Sequence, residues 1–242
     1  MPRMCGRFVS PDEAAVERAW HIGRRNWKTP FGKPRYNVAP TMRVIMLRRD
    51  AADPGIELAH ARWGFVPYWW KQAKPPRGSF NAKFETAAAN GMWREAFSRA
   101  RCLLPALGWY EWREEMRIDK ATGELVKVNQ PYYIVRKDRR PLCFAGLMSR
   151  WKDPGDPEPT LTCAVLTRPG AGRAGEIHER MPVVLPDEVH ARWLDPARTD
   201  PAEAAALIEE NAQTDFELVR VGRGINRTEE DSEKLIEPLE AG

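Results

Sequence analysis

The sequence predicts a mixed α+β single domain, on three observations. Short β-rich runs bounded by Gly and Pro outnumber the helical segments. Those helical segments fall between the runs without the regular alternation of a doubly wound sheet. Neither an internal repeat nor a clean linker divides the 242 residues, a length that buries a substantial core. Ten tryptophans and twenty-one prolines add aromatic surfaces and irregular connections, which disfavour a helical bundle. The expected unit is one domain over residues 1–242, ending in an acidic tail from about residue 227.

In chain order, Ser10-Pro11-Asp12-Glu13 reads as a helix start. Ser10 would be the N-cap, Pro11 the first helical residue, and Glu13 the closing member of a capping box. Val16, Ala19 and Trp20 share a face at helical spacing, so the helix should run to about Ile22. Residues 23–34 are basic and loop-like, and Tyr36-Asn37-Val38-Ala39-Pro40 reads as a polar, proline-bounded turn. Residues 43–48 and 56–63 predict strands paired across a turn at Asp53-Pro54-Gly55. Residues 64–70 are too aromatic for a plain loop and too broken by Gly and Pro for a regular element. A helix is expected over 93–99, then a buried strand entered at Cys102-Leu103-Leu104-Pro105. Gly108-Trp109-Tyr110-Glu111-Trp112 places one acid among aromatics. Strands are expected at 132–135, 142–148, 161–166, 182–185 and 216–221, with helices at 187–194 and 200–211. Asp200-Pro201 with Glu203 opens the second of these helices.

A net charge of +4 does not demand a polyanion. Its distribution, basic through residue 49 and acidic after residue 200, fits a nucleic-acid face and a merely solvated face alike. Cys5, Cys102, Cys143 and Cys163 form no C-x-x-C pair, so no zinc site, metal or cofactor is expected. Met1-Pro2-Arg3-Met4 is followed by no apolar run of signal-peptide length, and no stretch approaches a membrane span. The expectation is a reduced, cytoplasmic, monomeric protein without a membrane partner.

Four residues carry candidate chemistry. Cys5 alone reads as a small apolar residue at a strand start. Were it the first residue of the mature chain, its amine and thiol would form a 1,2-aminothiol able to trap an aldehyde. Glu111, flanked by Trp109, Tyr110 and Trp112, is either a desolvated proton donor or an exposed strand residue. His178 in Glu176-Ile177-His178-Glu179-Arg180 is an acid/base candidate or an ordinary surface histidine. Asn81 and Lys83 would share a face in a strand, suited to a phosphate or sugar oxygen, or to turn chemistry and solubility. Trp69-Trp70 offers a stacking platform for exposed bases or simply core bulk.

Taken together, the ordered blocks tell more than any one of them. Met4-Cys5-Gly6-Arg7-Phe8, Arg35-Tyr36-Asn37-Val38-Ala39-Pro40, and Trp63-Gly64 with Pro67 and Trp69-Trp70 come first. Asn81-Ala82-Lys83 with Glu85-Thr86, Gly108-Trp109-Tyr110-Glu111-Trp112, Ile177-His178-Glu179-Arg180-Met181-Pro182, and Asn226 with Leu235-Ile236 and Pro238 follow. This series resembles the SOS response-associated peptidase (SRAP) family over nearly the whole chain. The resemblance implies a compact α+β domain with a β-barrel-like core and peripheral helices. It further implies a thiazolidine crosslink between a mature N-terminal cysteine and abasic sites in single-stranded DNA, including single/double-strand junctions, with lyase-type activity and crosslink reversal. By motif, Cys5 would be the nucleophile, Asn81 the orienting residue, and Glu111 with His178 the acid/base pair. Arg7, Lys83 and Arg180 would meet phosphates, with Asn37, Pro40, Trp69 and Trp70 near bases. Two departures stand out. Lys83 occupies a position where the family usually has Arg, losing a bidentate fork but keeping the charge. Residues Met1-Pro2-Arg3 precede Met4, so Cys5 becomes N-terminal only if Met4 is the true start or the chain removes the segment itself. The competing readings are a cysteine peptidase acting in trans and a non-covalent single-strand binding module.

Overall fold

Five strands close on themselves at the centre of the molecule. The computed structural model describes residues 5–22, 32–50, 53–72, 74–119, 121–152 and 158–239. Its strands in chain order are β1 (Phe8–Ser10), β2 (Arg35–Val38), β3 (Arg43–Asp50), β4 (Asp53–Trp63), β5 (Asn81–Lys83), β6 (Arg101–Ala106) and β7 (Gly108–Ile118). They continue with β8 (Leu125–Val135), β9 (Leu142–Trp151), β10 (Thr160–Pro169), β11 (Arg180–Pro182), β12 (Val184–Leu185) and β13 (Glu217–Arg220). The helices are α1 (Glu13–Trp20), α2 (Phe84–Ala87), α3 (Arg94–Arg99), α4 (Gly172–Gly175), α5 (His190–Trp193) and α6 (Pro201–Asn211).

Antiparallel pairs β4–β3, β3–β6, β6–β9 and β9–β10 form the barrel wall. A short parallel contact, Thr162 opposite Arg62 and Cys163 opposite Trp63, joins β10 to β4 and closes it. Closure removes the exposed edges an open sheet would have to protect. Both faces of the wall are covered, which is why β3 and β6 read as unbroken apolar runs. Alternation along β3 sends Val44 and Met46 into a cluster with Cys5, Phe8, Trp63 and Trp109. Ile45 and Leu47 enter the cluster capped by Phe97, Trp193 and Leu207 from α3, α5 and α6. A second, open sheet runs β13-β8-β7-β1-β2.

The α+β class and the barrel-like core are as expected; several local expectations are corrected. Ser10 lies in β1, opposite Arg35, and Asp12 is the cap of α1, accepting from the Ala15 amide at 2.6 Å. Asp12, directly ahead of the first helical residue, takes the role with its carboxylate, and the helix ends at Trp20, with His21 left-handed at φ 52°. Residues 35–38 are a strand rather than a turn. β3 reaches Asp50 and β4 starts at Asp53, so the expected turn residues belong to a strand. The helix expected over 187–194 is a 3-10 turn at Asp187–Val189 followed by α5. Within the acidic C-terminal segment, Asp231 and Leu239 are tied to the domain. Asp231 accepts from the amides of Tyr36 and Asn37, at 2.5 and 2.9 Å, and Leu239 donates to the Arg220 carbonyl at 2.8 Å. Residues 1–4 and 23–31 lie outside the described residues, as do the expectations placed on them. Among the described residues, no helix is long and apolar enough to cross a membrane.

Candidate active site

β10 brings three of the expected residues into one neighbourhood. β5 lies parallel to it, with Asn81 opposite Val165 and Lys83 opposite Thr167. β11 lies antiparallel, with Pro182 also opposite Thr167 and Arg180 opposite Pro169. The same stretch of β10 therefore holds Asn81 on one side and the His178 turn on the other. Glu111 arrives from the second sheet. Phe8 pairs with Trp109, and the Tyr110 amide donates to the Arg7 carbonyl at 3.0 Å, so the residues ahead of β1 run past Glu111.

Cys5 is fully buried and held at both ends of its backbone. Its nitrogen donates to Glu111 Oε1 at 2.8 Å, and its carbonyl accepts from Asn81 Nδ2 at 3.1 Å. Its φ of 22° is in the region that side-chain-bearing residues rarely adopt. Burial pushes the Glu111 carboxyl well above its ordinary value, with the bond from the Cys5 nitrogen opposing in part. Burial, and then the charge of Glu111, push the Cys5 thiol up as well. Burial thus favours the neutral form of both groups, the thiol of Cys5 and the carboxyl of Glu111.

His178 is buried, and its Nδ1 accepts the Arg180 amide hydrogen at 3.0 Å. The same Nδ1 lies 3.2 Å from the Arg180 carbonyl, so the backbone of Arg180 holds the ring in place on that side. Nε2 of His178 and Oε2 of Glu111 are both buried without a hydrogen-bond partner among the described residues. Buried polar atoms are nearly always paired, so each of these two atoms is available to a group that a guest would bring.

The expected DNA-contact residues divide into three kinds. Trp69 is 45 % exposed and stands 6.1 Å from Trp70, ring centroid to centroid, beside an apolar cleft of about 150 Å³ that Trp69 lines with Tyr68 and Met92. Lys83 is exposed, Pro40 is half-buried in the turn before β3, and Arg7 is half-buried, donating to the Gly6 carbonyl at 3.0 Å. Asn37 and Arg180 have partners within the chain. Asn37 is 1 % exposed, and its Nδ2 donates to the Arg227 and Glu230 carbonyls at 2.8 Å each, so its amide anchors the C-terminal segment instead of facing a base. Arg180 holds both carboxylate oxygens of Glu85 and donates to the Thr167 carbonyl at 2.6 Å, so its fork is already engaged. Sequence reasoning assigned no role to Glu85 or Asp231. The only signal for Glu85 was its place in the Asn81-Ala82-Lys83 block.

The SOS response associated peptidase (SRAP) family model matches residues 4–228, and the chain belongs to that family. Among its relatives, the abasic site processing protein YoqW of Bacillus subtilis is 33% identical over 97% of this chain and 99% of its own. The abasic site processing protein YedK of Escherichia coli is 30% identical over 98% of this chain and all of its own length. HMCES of Xenopus tropicalis, named likewise, is 27% identical over 85% of this chain and 70% of its own. A crystal structure of a Bacteroides thetaiotaomicron protein shares the fold with a TM-score of 0.73 at 20% identity, covering 97% of this chain and 99% of that one. A phage-related protein of Bordetella bronchiseptica, also solved by crystallography, has a TM-score of 0.64 at 32% identity over 90% of this chain and 94% of its own.

Proposed function

We propose that this protein processes abasic sites in single-stranded DNA by forming a covalent crosslink, a thiazolidine, through Cys5 as the first residue of the mature chain. The observation that carries the reading is the 2.8 Å contact between the Cys5 nitrogen and the buried Glu111 carboxylate. Once residues 1–4 are removed, that nitrogen is the α-amine, and Glu111 is the group that takes its extra proton. The ring-opened sugar of an abasic site presents an aldehyde. The free amine adds to its carbon, giving a carbinolamine. Protonation of the hydroxyl by a neighbouring acid expels water and leaves an imine, and the Cys5 sulfur then adds to the same carbon, closing the five-membered ring. Glu111 and His178 share these proton transfers, each with an atom no protein group engages among the described residues. Asn81 orients the residue by holding the Cys5 carbonyl.

The product shields the lesion. The same imine allows strand scission by β-elimination, and Glu111 assists reversal by returning a proton to the ring. Self-removal of the segment ahead of Cys5 belongs to the reading too, since Glu111 already contacts the nitrogen that would leave. The experiment pairs intact-mass measurement with incubation on single-stranded DNA carrying an abasic site. A heat-stable adduct is expected only from chains that begin at Cys5, and none from Cys5→Ala. Absence of adduct from protein shown to begin at Cys5 overturns the reading.

A further inference from the structure

The hairpin of β7 and β8 extends beyond the sheet that carries it. β1 pairs with β7 only at Gly108 and Trp109, and β13 pairs with β8 only from Tyr132 to Val135. Residues 113–118 and 125–130 therefore form a two-stranded ribbon with no third strand among the described residues. Strand alternation puts Arg113, Glu115 and Arg117 on the face of Glu111. Tyr132, directly opposite Glu111, links the buried site to that face. Its ring lies 4.8 Å below the Arg113 guanidinium, and its hydroxyl donates to Glu115 at 2.6 Å.

Three guanidiniums gather here around one shared carboxylate. Arg113 and Arg220 each reach Glu115 at 2.8 Å, Arg220 from the neighbouring β13, and Arg117 stands 4.0 Å away. Their side chains are 41 %, 42 % and 36 % exposed, whereas Glu115 is 16 % exposed beneath them. The exposed Glu176, in the turn that leads to His178, adds its field to Arg113 and ties this face to the site. One positive charge remains uncompensated. Arg117 donates to Gln130 Oε1 at 2.7 Å and Arg113 reaches Glu115 through Nε and Nη2, while Arg117 and Arg220 keep further N–H donors that no group among the described residues accepts. On the opposite face, by contrast, Lys127 and Glu114 neutralise each other at 2.7 Å.

We propose that this ribbon face is a track for the phosphates of the single strand whose lesion lies at Cys5, with Arg113, Arg117 and Arg220 as the contacts. The proposal rests on the function proposed above and extends its DNA path beyond the lesion. Arg113 and Arg117 are four residues apart on one strand, an advance of about 13.6 Å, close to two phosphate-to-phosphate steps of an extended nucleic-acid strand. A guanidinium fork suits phosphate oxygens. Glu115 keeps the three cations from repelling one another and holds them up to solvent.

The test is equilibrium binding of undamaged single-stranded oligonucleotides, so that no crosslink contributes, across a salt series. Strands of roughly 4 and roughly 16 nucleotides bracket the sizes that single-strand grooves cover. Native protein is expected to bind the longer strand more tightly. Replacing both Arg113→Gln and Arg117→Gln should remove two phosphate contacts and flatten the log–log salt slope on the longer strand by about 1.4. Arg113→Lys with Arg117→Lys should keep the slope. An unchanged slope in a folded Gln variant, or no length preference in the native protein, overturns the track. Should the Gln variant fail to fold, Arg220→Gln decides: removing one phosphate contact should flatten the salt slope on the longer strand by about 0.7, and an unchanged slope sinks the idea. A native protein that begins at Cys5, shows the length preference and yet gives no adduct with a lesion-bearing strand refutes the crosslinking function and leaves the track standing.

Discussion

Glu111 and Glu115 sit on one strand and one face, four residues apart, and their surroundings turn the same side chain to opposite uses. Glu111 is buried with a single donor, the Cys5 nitrogen, and one oxygen left without a partner among the described residues. Desolvation dominates, and its carboxyl is pushed up. Burial also pushes the Glu115 carboxyl upward, but hydrogen bonds from Tyr132, Arg113 and Arg220 outweigh it and hold it at about 2. One is a carboxyl whose proton can move; the other is a permanent anion that organises cations. What differs is the supply of donors, which β1 limits to one at Glu111 and the ribbon multiplies at Glu115.

The largest effect should come from Glu111→Gln. The amide keeps an acceptor for the Cys5 nitrogen but cannot exchange a proton. The rate of adduct formation on abasic-site DNA is expected to fall roughly 10²- to 10⁴-fold, the usual worth of general acid–base catalysis. A rate within a few-fold of native in single-turnover gels would remove Glu111 from the chemistry.

The same substitution separates burial from catalysis when stability is followed against pH. Between its ordinary value of 4.5 and its raised folded value, Glu111 stays protonated in the folded chain and is ionised in the unfolded one. The unfolded state then binds fewer protons, so Glu111 lowers stability as pH rises across that window, by up to about 1.4 kcal/mol per pH unit. In a Cys5→Ala background, where neither protein can process its own N-terminus, Glu111→Gln should gain in melting temperature relative to its parent as pH rises above 4.5. Parallel melting curves across that range would show that the carboxylate is solvated after all.

How much of this was legible in the sequence depended on whether the partners were local. The barrel strands were, because burial on both faces leaves continuous apolar runs such as Cys102-Leu103-Leu104. The ribbon was not. Past Trp112, Arg113, Glu114 and Glu115 are solvated on both faces, and only pairing with residues 125–130 makes them a strand. β2 looked like a turn because its polar residues are satisfied by Asp231, Arg227 and Glu230, far along the chain. Of the site, Glu111 among aromatics read equally as a desolvated acid or an exposed strand residue, and its burial decides for the first. That Asn81 holds Cys5 could not be read from spacing, since β5 and the residues ahead of β1 meet only in three dimensions. Asn37 and Arg180 were assigned outward roles for the same reason: their partners, the C-terminal segment and Glu85, could not be paired with them from spacing.

Glu115 supplies the smallest effect and the sharpest check on the contrast, because its sign must be the reverse. Its folded carboxyl is held near 2, below the ordinary 4.5, so the stabilisation it brings is present above 4.5 and is lost as pH falls toward 2. The ribbon is open to solvent and its arginines are more than a third exposed, which limits the contribution to about 1 kcal/mol or less. Glu115→Gln should therefore melt slightly below native at neutral pH, with the gap closing as the solution is acidified from pH 4.5 toward pH 2. Added salt should narrow the neutral-pH gap too, since the pairs it removes are screened. If instead the gap between Glu115→Gln and native widened on acidification, as it must between Glu111→Gln and its parent on alkalinisation, donor supply would not be what sets the two carboxyls apart. The track around Glu115 would then lose the fixed anion on which its three cations are arranged.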